Sequence, residues 1–536
     1  MQEPDVKAGP NLSIDKRGSA SPFSNSSSIV IFALIVALFI GARLWGLTAS
    51  CLWFDEVFSV HAAKHEWTEL LRFVAADIIH PPLFYVLLKV WIGIGGESLL
   101  WLRLFPLITS IVVIAPFVLL CRELRLGQME TGLALLLMGV NGYLIKYAQE
   151  VRMYSLLLFF TVCSLWLFIK FINASPDRKH LVFLSAINLL LTYTHYYGWL
   201  IVAAQLVFLI FWARRRLTDF LISVAVLLLC FSPWVYAVTQ ALGTGKGLAQ
   251  NIGWVARPRV SDVVQLFTIL NVPFYFRQSS NQVVYARWAL LASLVLFGPP
   301  VAALCWRLIR KEKEEHTLTA AKYLILFCTA PLALALIASW LLPHSIWGSR
   351  HLIIVAVPYL LLVSIALYRW KSRWYGTTLL LLLGSWLFIA GAGQVIRRGE
   401  TSVWCAWEQL SEEIVQRQQS PDNVIKLYAF EELIAYHLWF ASEESARGKL
   451  EVGLIQGVPG VREDPAYFLP RAFWDVKRQN VSALTEPRFW IAFRDTSFND
   501  QNPPIKTFTD RGYQVGEVLQ VQAAGQQAFL VELKRP

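Results

Sequence analysis

This sequence is poor in charge. Only 16% of its 536 residues are Asp, Glu, Lys or Arg, and 56% are apolar, where a soluble globular chain carries about a quarter charged residues. That shortage excludes one large soluble domain and leaves a polytopic α-helical membrane protein. Cysteine is sparse as well. There are seven, none in CxxC spacing and most inside apolar runs, which argues against a zinc site or a disulfide framework and for small buried hydrophobes. No repeat of fixed period and no pair of inverted halves is evident, although many transporters have them. The formal charge of +11 does not indicate nucleic acid, because Lys and Arg fall in short clusters between apolar runs, the arrangement that orients membrane loops.

What is present is a series of apolar runs of roughly twenty residues, the length of one bilayer crossing. About eleven are evident, near 29–48, 101–120, 128–146, 153–172, 180–196, 198–213, 217–238, 286–306, 319–342, 351–368 and 375–396. A further segment, 81–92, is apolar but short, contains Lys89 and runs into Gly93, Gly95 and Gly96. The positive-inside rule assigns it. If it does not cross, Arg122 and Arg125, Arg178 and Lys179, Arg214 to Arg216 and the clusters at 307–313 and 369–373 share the cytoplasmic side with the amino terminus. It is therefore read as an interfacial helix on the outer leaflet. On this register residues 1–28 form a polar, Ser-rich cytoplasmic tail ahead of a retained first helix. Residues 29–397 form the transmembrane domain, with a first external loop at 49–100, and residues 398–536 form an extracytoplasmic α/β domain. Within the last part, 423–429, 488–493 and 528–533 have strand character and 431–441 has helical spacing.

The unusual polar residues collect in the outward segments. Asp55 and Glu56 stand just past the first run; Asp77 and His80 precede Pro81 and Pro82; Tyr147, Glu150, Arg152 and Tyr154 mark the mouth between two runs; His195 lies among tyrosines; Arg350 and His351 open a late run. Charges placed only to set topology would be scattered, whereas these share one face. A carboxylate in a partly dry cleft accepts a proton from a hydroxyl or amine, which makes Asp55 the candidate general base. For Glu56 beside it, a helix-starting carboxylate is an equal alternative. Arg152 and Arg350 have the planar forks that clamp a phosphate at the depth of lipid phosphates; snorkelling toward ordinary headgroups is the alternative for each. His195 and its tyrosines can donate hydrogen bonds to a sugar or phosphate. No cofactor is required by the sequence. A divalent metal is possible, with Asp77, His80 and Glu150 as ligands, though no spacing demands one. A second functional class, a transporter or lipid-carrier flippase, would line a path with ionisable groups near the midplane; the polar residues within runs here, Asn188 and Gln205, are uncharged.

Taken in order, WFDE, DIIHPPLFYVLL, the Leu102-Arg103-Leu104 start of a run, YAQEVRMYSLLL, THYYG and SRHLIIVAVP resemble the membrane glycosyltransferases of the C-type fold. The relevant group is family 39 and its bacterial relatives: protein O-mannosyltransferases, the aminoarabinose transferase acting on lipid A, and rhizobial core galacturonosyltransferases. The resemblance covers about residues 30–370 and rests on the ordered set. It implies a hexosyl or pentosyl transferase acting at the outer face of the cytoplasmic membrane. It also implies a polyprenyl-phosphate sugar donor and a general base drawn from the acidic pair Asp55 and Glu56, and it leaves the acceptor open among lipid, glycan and protein. The family has one residue between the later Asp and His-Pro-Pro, whereas two separate Asp77 from His80. Nothing beyond about residue 400 matches that family.

Overall fold

The computed structural model describes residues 26–173, 178–243, 255–274, 286–310, 316–370, 373–396, 403–417, 424–445, 448–461, 476–523 and 526–536. The expected amino-terminal tail lies almost wholly outside them, as does the expected domain boundary at 397–398.

Every apolar run folds as helix. Among the described residues six helices are long and apolar enough to cross a membrane: Leu99–Glu123, Tyr154–Asn173, Arg214–Leu242, His316–Leu341, His351–Tyr368 and Gly376–Gly393. Leu290–Leu296 and Gly298–Ile309, bent by 47°, add a seventh if they cross as one span. The other runs form shorter helices, Ser26–Leu44, Gln128–Val140, Arg178–Thr194 and Gly198–Trp212. The run at 128–146 is shortened by a cap that hydropathy does not register. The Asn141 carbonyl oxygen accepts from the Leu144 amide at 2.9 Å and starts a new helix, Gly142–Ala148, while its amide donates to the Leu270 carbonyl at 2.5 Å.

The segment expected to lie on the outer leaflet forms Leu83–Gly95, 13 residues. At 1.5 Å per residue this is about 20 Å, short of the ~30 Å hydrocarbon core. Tyr154–Asn173 and His351–Tyr368 are the most enclosed of the six spans. The first packs against Leu99–Val112, Ile114–Glu123 and Arg178–Thr194. At mid-span Ser164 donates to Asn188 at 2.6 Å, Asn188 to Gln205 at 2.9 Å and Gln205 back to Ser164 at 2.7 Å. This ring satisfies the buried polar groups among themselves and uses no charge.

The carboxyl-terminal part is a six-stranded sheet, β1 (Ile425–Ala429), β2 (Leu450–Gln456), β3 (Lys477–Asn480), β4 (Arg488–Asp495), β5 (Gln514–Ala523) and β6 (Gln526–Lys534), in the order β3-β2-β1-β4-β6-β5. The first four are mutually parallel and the last two antiparallel. Both faces of β4 are buried: Phe489, Ile491 and Phe493 join one core with Phe508 and Phe529, while Trp490 and Ala492 alternate onto the helices Val403–Gln416 and Glu432–Ser445. The reading of the cysteines needs correction. Cys51 of the first loop is bonded to Cys405 of the Val403–Gln416 helix, across 354 residues. A bridge between such distant residues leaves no local spacing signature, so a search for clustered cysteines misses it.

Candidate active site

As the chain leaves its first helix it turns at Trp53, an extended N-cap, into the helix Phe54–Lys64. Successive residues on a helix point about 100° apart, so the first turn faces three partners. Phe54 lies edge-on to Tyr436, ring centroids 5.8 Å apart. The Asp55 carboxylate accepts from Arg350 at 2.8 Å. Glu56 turns inward, is wholly buried, accepts from the Trp53 amide at 3.0 Å and the Val151 amide at 2.8 Å, and lies 3.8 Å from Arg103. Of the two readings open for Glu56, the geometry favours the helix-starting carboxylate: its oxygens close the helix N-terminus and pin it to the YAQEVR segment.

Arg152 is buried and reaches the same helix turn from below. It donates to the Asp55 carbonyl at 3.0 Å, to Ser59 at 3.1 Å and to the Tyr85 hydroxyl at 3.4 Å, and its Nε has no hydrogen-bond partner among the described residues. Arg350 is more open, with about 30% of its side chain exposed against 18% for Asp55. The Asp55–Arg350 pair is thus the more exposed part of the group, and Arg152 is its buried part. Tyr154 stacks on His351 and meets Tyr147 edge-on, and its hydroxyl is buried with no hydrogen-bond partner among the described residues. Glu150, expected beside the arginines, lies 3.9 Å from Lys146.

The expected metal ligands Asp77, His80 and Glu150 do not form one group. Asp77 lies 3.8 Å from His80, but His80 meets His195 and His351, with candidate ligand atoms of all three within 4.8 Å of one another. Both ring nitrogens of His80 and the Nε2 atoms of His195 and His351 are buried without hydrogen-bond partners among the described residues. Burial, with Arg152 next in weight, holds His80 well below the usual imidazole range, and burial with Arg152 and Arg350 pushes His195 down to about 3, so both stay neutral. A metal would need a free lone pair from each ring. His195 Nδ1 accepts from the Tyr197 amide at 3.0 Å, which puts the proton of the neutral ring on Nε2. In this arrangement His195 presents an N–H to the cluster, which suits an anionic or hydroxylic oxygen and does not suit a cation.

Several contributors escape a reading by residue type. Ser59 lies one helical turn past Asp55, Tyr85 is embedded in HPPLFYVLL, and the Tyr143 and Tyr197 hydroxyls donate to the backbone of Ser349 at 2.7 Å and of Ile346 at 2.5 Å, holding the segment before His351. Arg103, from the Leu-Arg-Leu motif, donates to the carbonyls of Leu47 and Cys51 at 2.6 and 2.7 Å and fixes the start of the loop. The i+4 spacing of Ser59 was available in the sequence; the tyrosine contacts depend on tertiary packing.

No family model matches this chain, and no curated protein matches it. Solved structures do. ArnT from Cupriavidus metallidurans bound to undecaprenyl phosphate is 12% identical, covers 95% of this chain and 98% of its own, and superposes with a TM-score of 0.58. ArnT from the same organism in the apo state gives 14%, 94%, 98% and 0.56. The oligosaccharyltransferase AglB from Archaeoglobus fulgidus, in complex with an inhibitory peptide and a dolichol-phosphate, is 13% identical over 78% of this chain with a TM-score of 0.49, and the match spans 64% of the archaeal chain. With a likeness to ArnT that runs through both the helical bundle and the sheet, and with the outer-end cluster in place, the chain has the C-type glycosyltransferase fold, a polytopic membrane domain followed by a mixed α/β domain.

Proposed function

We propose that this chain transfers a sugar from a polyprenyl-phosphate carrier to an acceptor at the outer face of the cytoplasmic membrane. The observation that carries the reading is the pairing of the Asp55 carboxylate with Arg350 while buried Arg152 holds the Asp55 carbonyl. One carboxylate and two guanidiniums at one mouth suit a proton acceptor facing a phosphate leaving group. The undecaprenyl phosphate bound by ArnT supports a prenyl phosphate as the ligand class. The Cys51–Cys405 bond supports the sidedness, since disulfides persist in oxidising compartments. In this reading the first loop and the carboxyl-terminal domain lie on the outer side and the amino terminus in the cytoplasm.

In this reading Arg350 exchanges Asp55 for the donor phosphate. The freed carboxylate takes the proton of the acceptor hydroxyl or amine as that heteroatom bonds the anomeric carbon. The bond from that carbon to the phosphate oxygen breaks, its electron pair stays on phosphate, and Arg350 and Arg152 balance the charge. A single displacement inverts the anomeric centre. The N–H of His195, with His80, His351 and the Tyr154 hydroxyl, lines the space for sugar or phosphate oxygens. No step needs a metal.

The test is a deletion strain whose surface glycans are analysed by mass, complemented with wild type or Asp55→Ala. Wild type is expected to restore a missing sugar, and Asp55→Ala, inserted at the same level, is expected not to. Full restoration by Asp55→Ala sinks the transferase reading. Movement of a lipid carrier without any glycosidic bond formed would favour a flippase, a reading that the closed, uncharged Ser164-Asn188-Gln205 ring does not support.

A further inference from the structure

The helix Phe54–Lys64 is held from two sides, and only one of them belongs to the membrane bundle. Glu56 and Asp55 join it to the YAQEVR segment and to Arg350. The opposite side rests on the carboxyl-terminal domain. Cys51, two residues before the N-cap, is bonded to Cys405. One turn before the helix ends, His61 Nδ1 shares a 2.6 Å hydrogen bond with the Tyr436 hydroxyl, and its ring lies 4.9 Å from that of Trp439. Between these two points Phe54 meets Tyr436 and His437. Both grips belong to one body, because Trp404, next to Cys405, stacks on His437 at 5.1 Å and Tyr436 stacks on Trp439 at 5.7 Å.

The contact is not packed shut. Cys51, Leu52, Val57, Trp404, Glu408 and His437 line a cavity of about 40 Å³ between loop and domain. Apolar packing alone leaves such a helix room to shift, since close-packed surroundings are what fix a side chain's position. The covalent bond at one end and the Tyr436 bond at the other remove that freedom.

We infer that the carboxyl-terminal domain is a positioning clamp for the helix that carries Asp55, locked by the Cys51–Cys405 disulfide and the Tyr436–His61 hydrogen bond. Cys51, Cys405, Tyr436 and His61 are positioning residues. Each acts through the placement of the helix that carries Asp55. The catalytic meaning of that placement rests on the transferase reading above; the mechanical claim does not.

Hydrogen exchange on the full-length protein in nanodiscs tests the clamp without any substrate. On reduction, or in Cys51→Ser/Cys405→Ser, amides of Phe54–Lys64 are expected to exchange about tenfold faster or more, while β1, β4 and the Tyr154–Asn173 span keep their rates, the pattern of a local opening. Tyr436→Phe, which keeps the ring and loses the bond, is expected to add a clear further increase in the reduced protein and little in the oxidised one, because the two restraints act on one helix. Equal exchange in the oxidised and reduced helix, or an increase spread evenly over the sheet, overturns the clamp. In the glycan assay the double serine variant is expected to transfer about 10 to 100 fold more slowly at normal protein level, as misplacement of a reacting group does. Wild-type transfer by a variant whose helix has opened overturns the link to catalysis. If Asp55→Ala retains transfer, the functional reading falls and the exchange result still decides the clamp.

Discussion

Arg152 and Arg350 carry the same charge under different constraint, and their variants should differ accordingly. Arg350 is partly exposed and bound to one carboxylate, so Arg350→Ala is expected to fold and to slow transfer by about 100 to 1000 fold, the usual loss for a donor aimed at developing charge. Arg152 is buried and binds a backbone carbonyl, a hydroxyl and a phenol at once. Arg152→Met removes the shared donor of all three and is expected to lower thermal stability by about 2 kcal/mol or more as well as abolish transfer, as read by thermal unfolding alongside the glycan assay. At His195 the proton position makes the distinction. His195→Gln keeps an N–H donor and should retain more activity than the isosteric His195→Leu, and chelators such as EDTA should leave transfer unchanged. A metal-dependent rate would contradict the N–H assignment set by the Tyr197 amide. Residue type and order in the sequence identified Asp55, Arg152, His195, Arg350 and His351 as one group. They left two readings open for Glu56, because adjacency in sequence does not tell which of two neighbours a helix turns inward.

The segment from Pro343 to His351 depends on a glycine. A Cβ on Gly348 would lie 2.5 Å from His351 Nδ1, a contact that forces the imidazole to move. Gly348→Ala is expected to displace His351 and weaken undecaprenyl phosphate binding by about 10 fold, roughly 1.4 kcal/mol, without reducing membrane insertion; binding by a fluorescent prenyl phosphate checks it. Unaltered affinity would remove His351 from the ligand-facing group. At this scale the helices were readable because apolar runs of span length have few other solutions in lipid. Their ends were less so. Asn141 ends one helix and caps the next through a side chain that hydropathy counts only as polar. β2, β3 and β5 went unrecognised: β3 is a short, mostly polar strand, and β5 alternates imperfectly around a bulge between Val515 and Val518.

Across the whole molecule, buried neutral imidazoles couple folding to pH. Burial pushes His61 and His437 from an ordinary 6.5 down to about 3, and for His61 the charges of His65 and Lys64 add to it. The unfolded chain takes up these protons near pH 6.5 and the folded chain only near pH 3. Between those values the unfolded state binds more protons, so stability falls as pH falls. Each such histidine contributes at most about 1.4 kcal/mol per pH unit. Unfolding midpoints are expected to drop steadily from pH 7 to 5, and His437→Gln should flatten that slope. An unchanged slope would mean that His437 takes up its proton in the folded state. The carboxyl-terminal domain as a whole was legible as α/β from three strand-like runs and one helix. Its attachment to the first loop was not, since residues 51 and 405 come together only when every intervening helix is in place.

That attachment has a consequence for biogenesis. A nascent chain exposes the Asp55 helix after its first insertion event, yet the cysteine that secures it is synthesised 354 residues later. In the proposed topology the bond can form only once the last span has been threaded. Until then the Asp55 helix lacks the covalent half of its clamp, so oxidation of the two thiols is a late step of maturation that decides how firmly this helix is held.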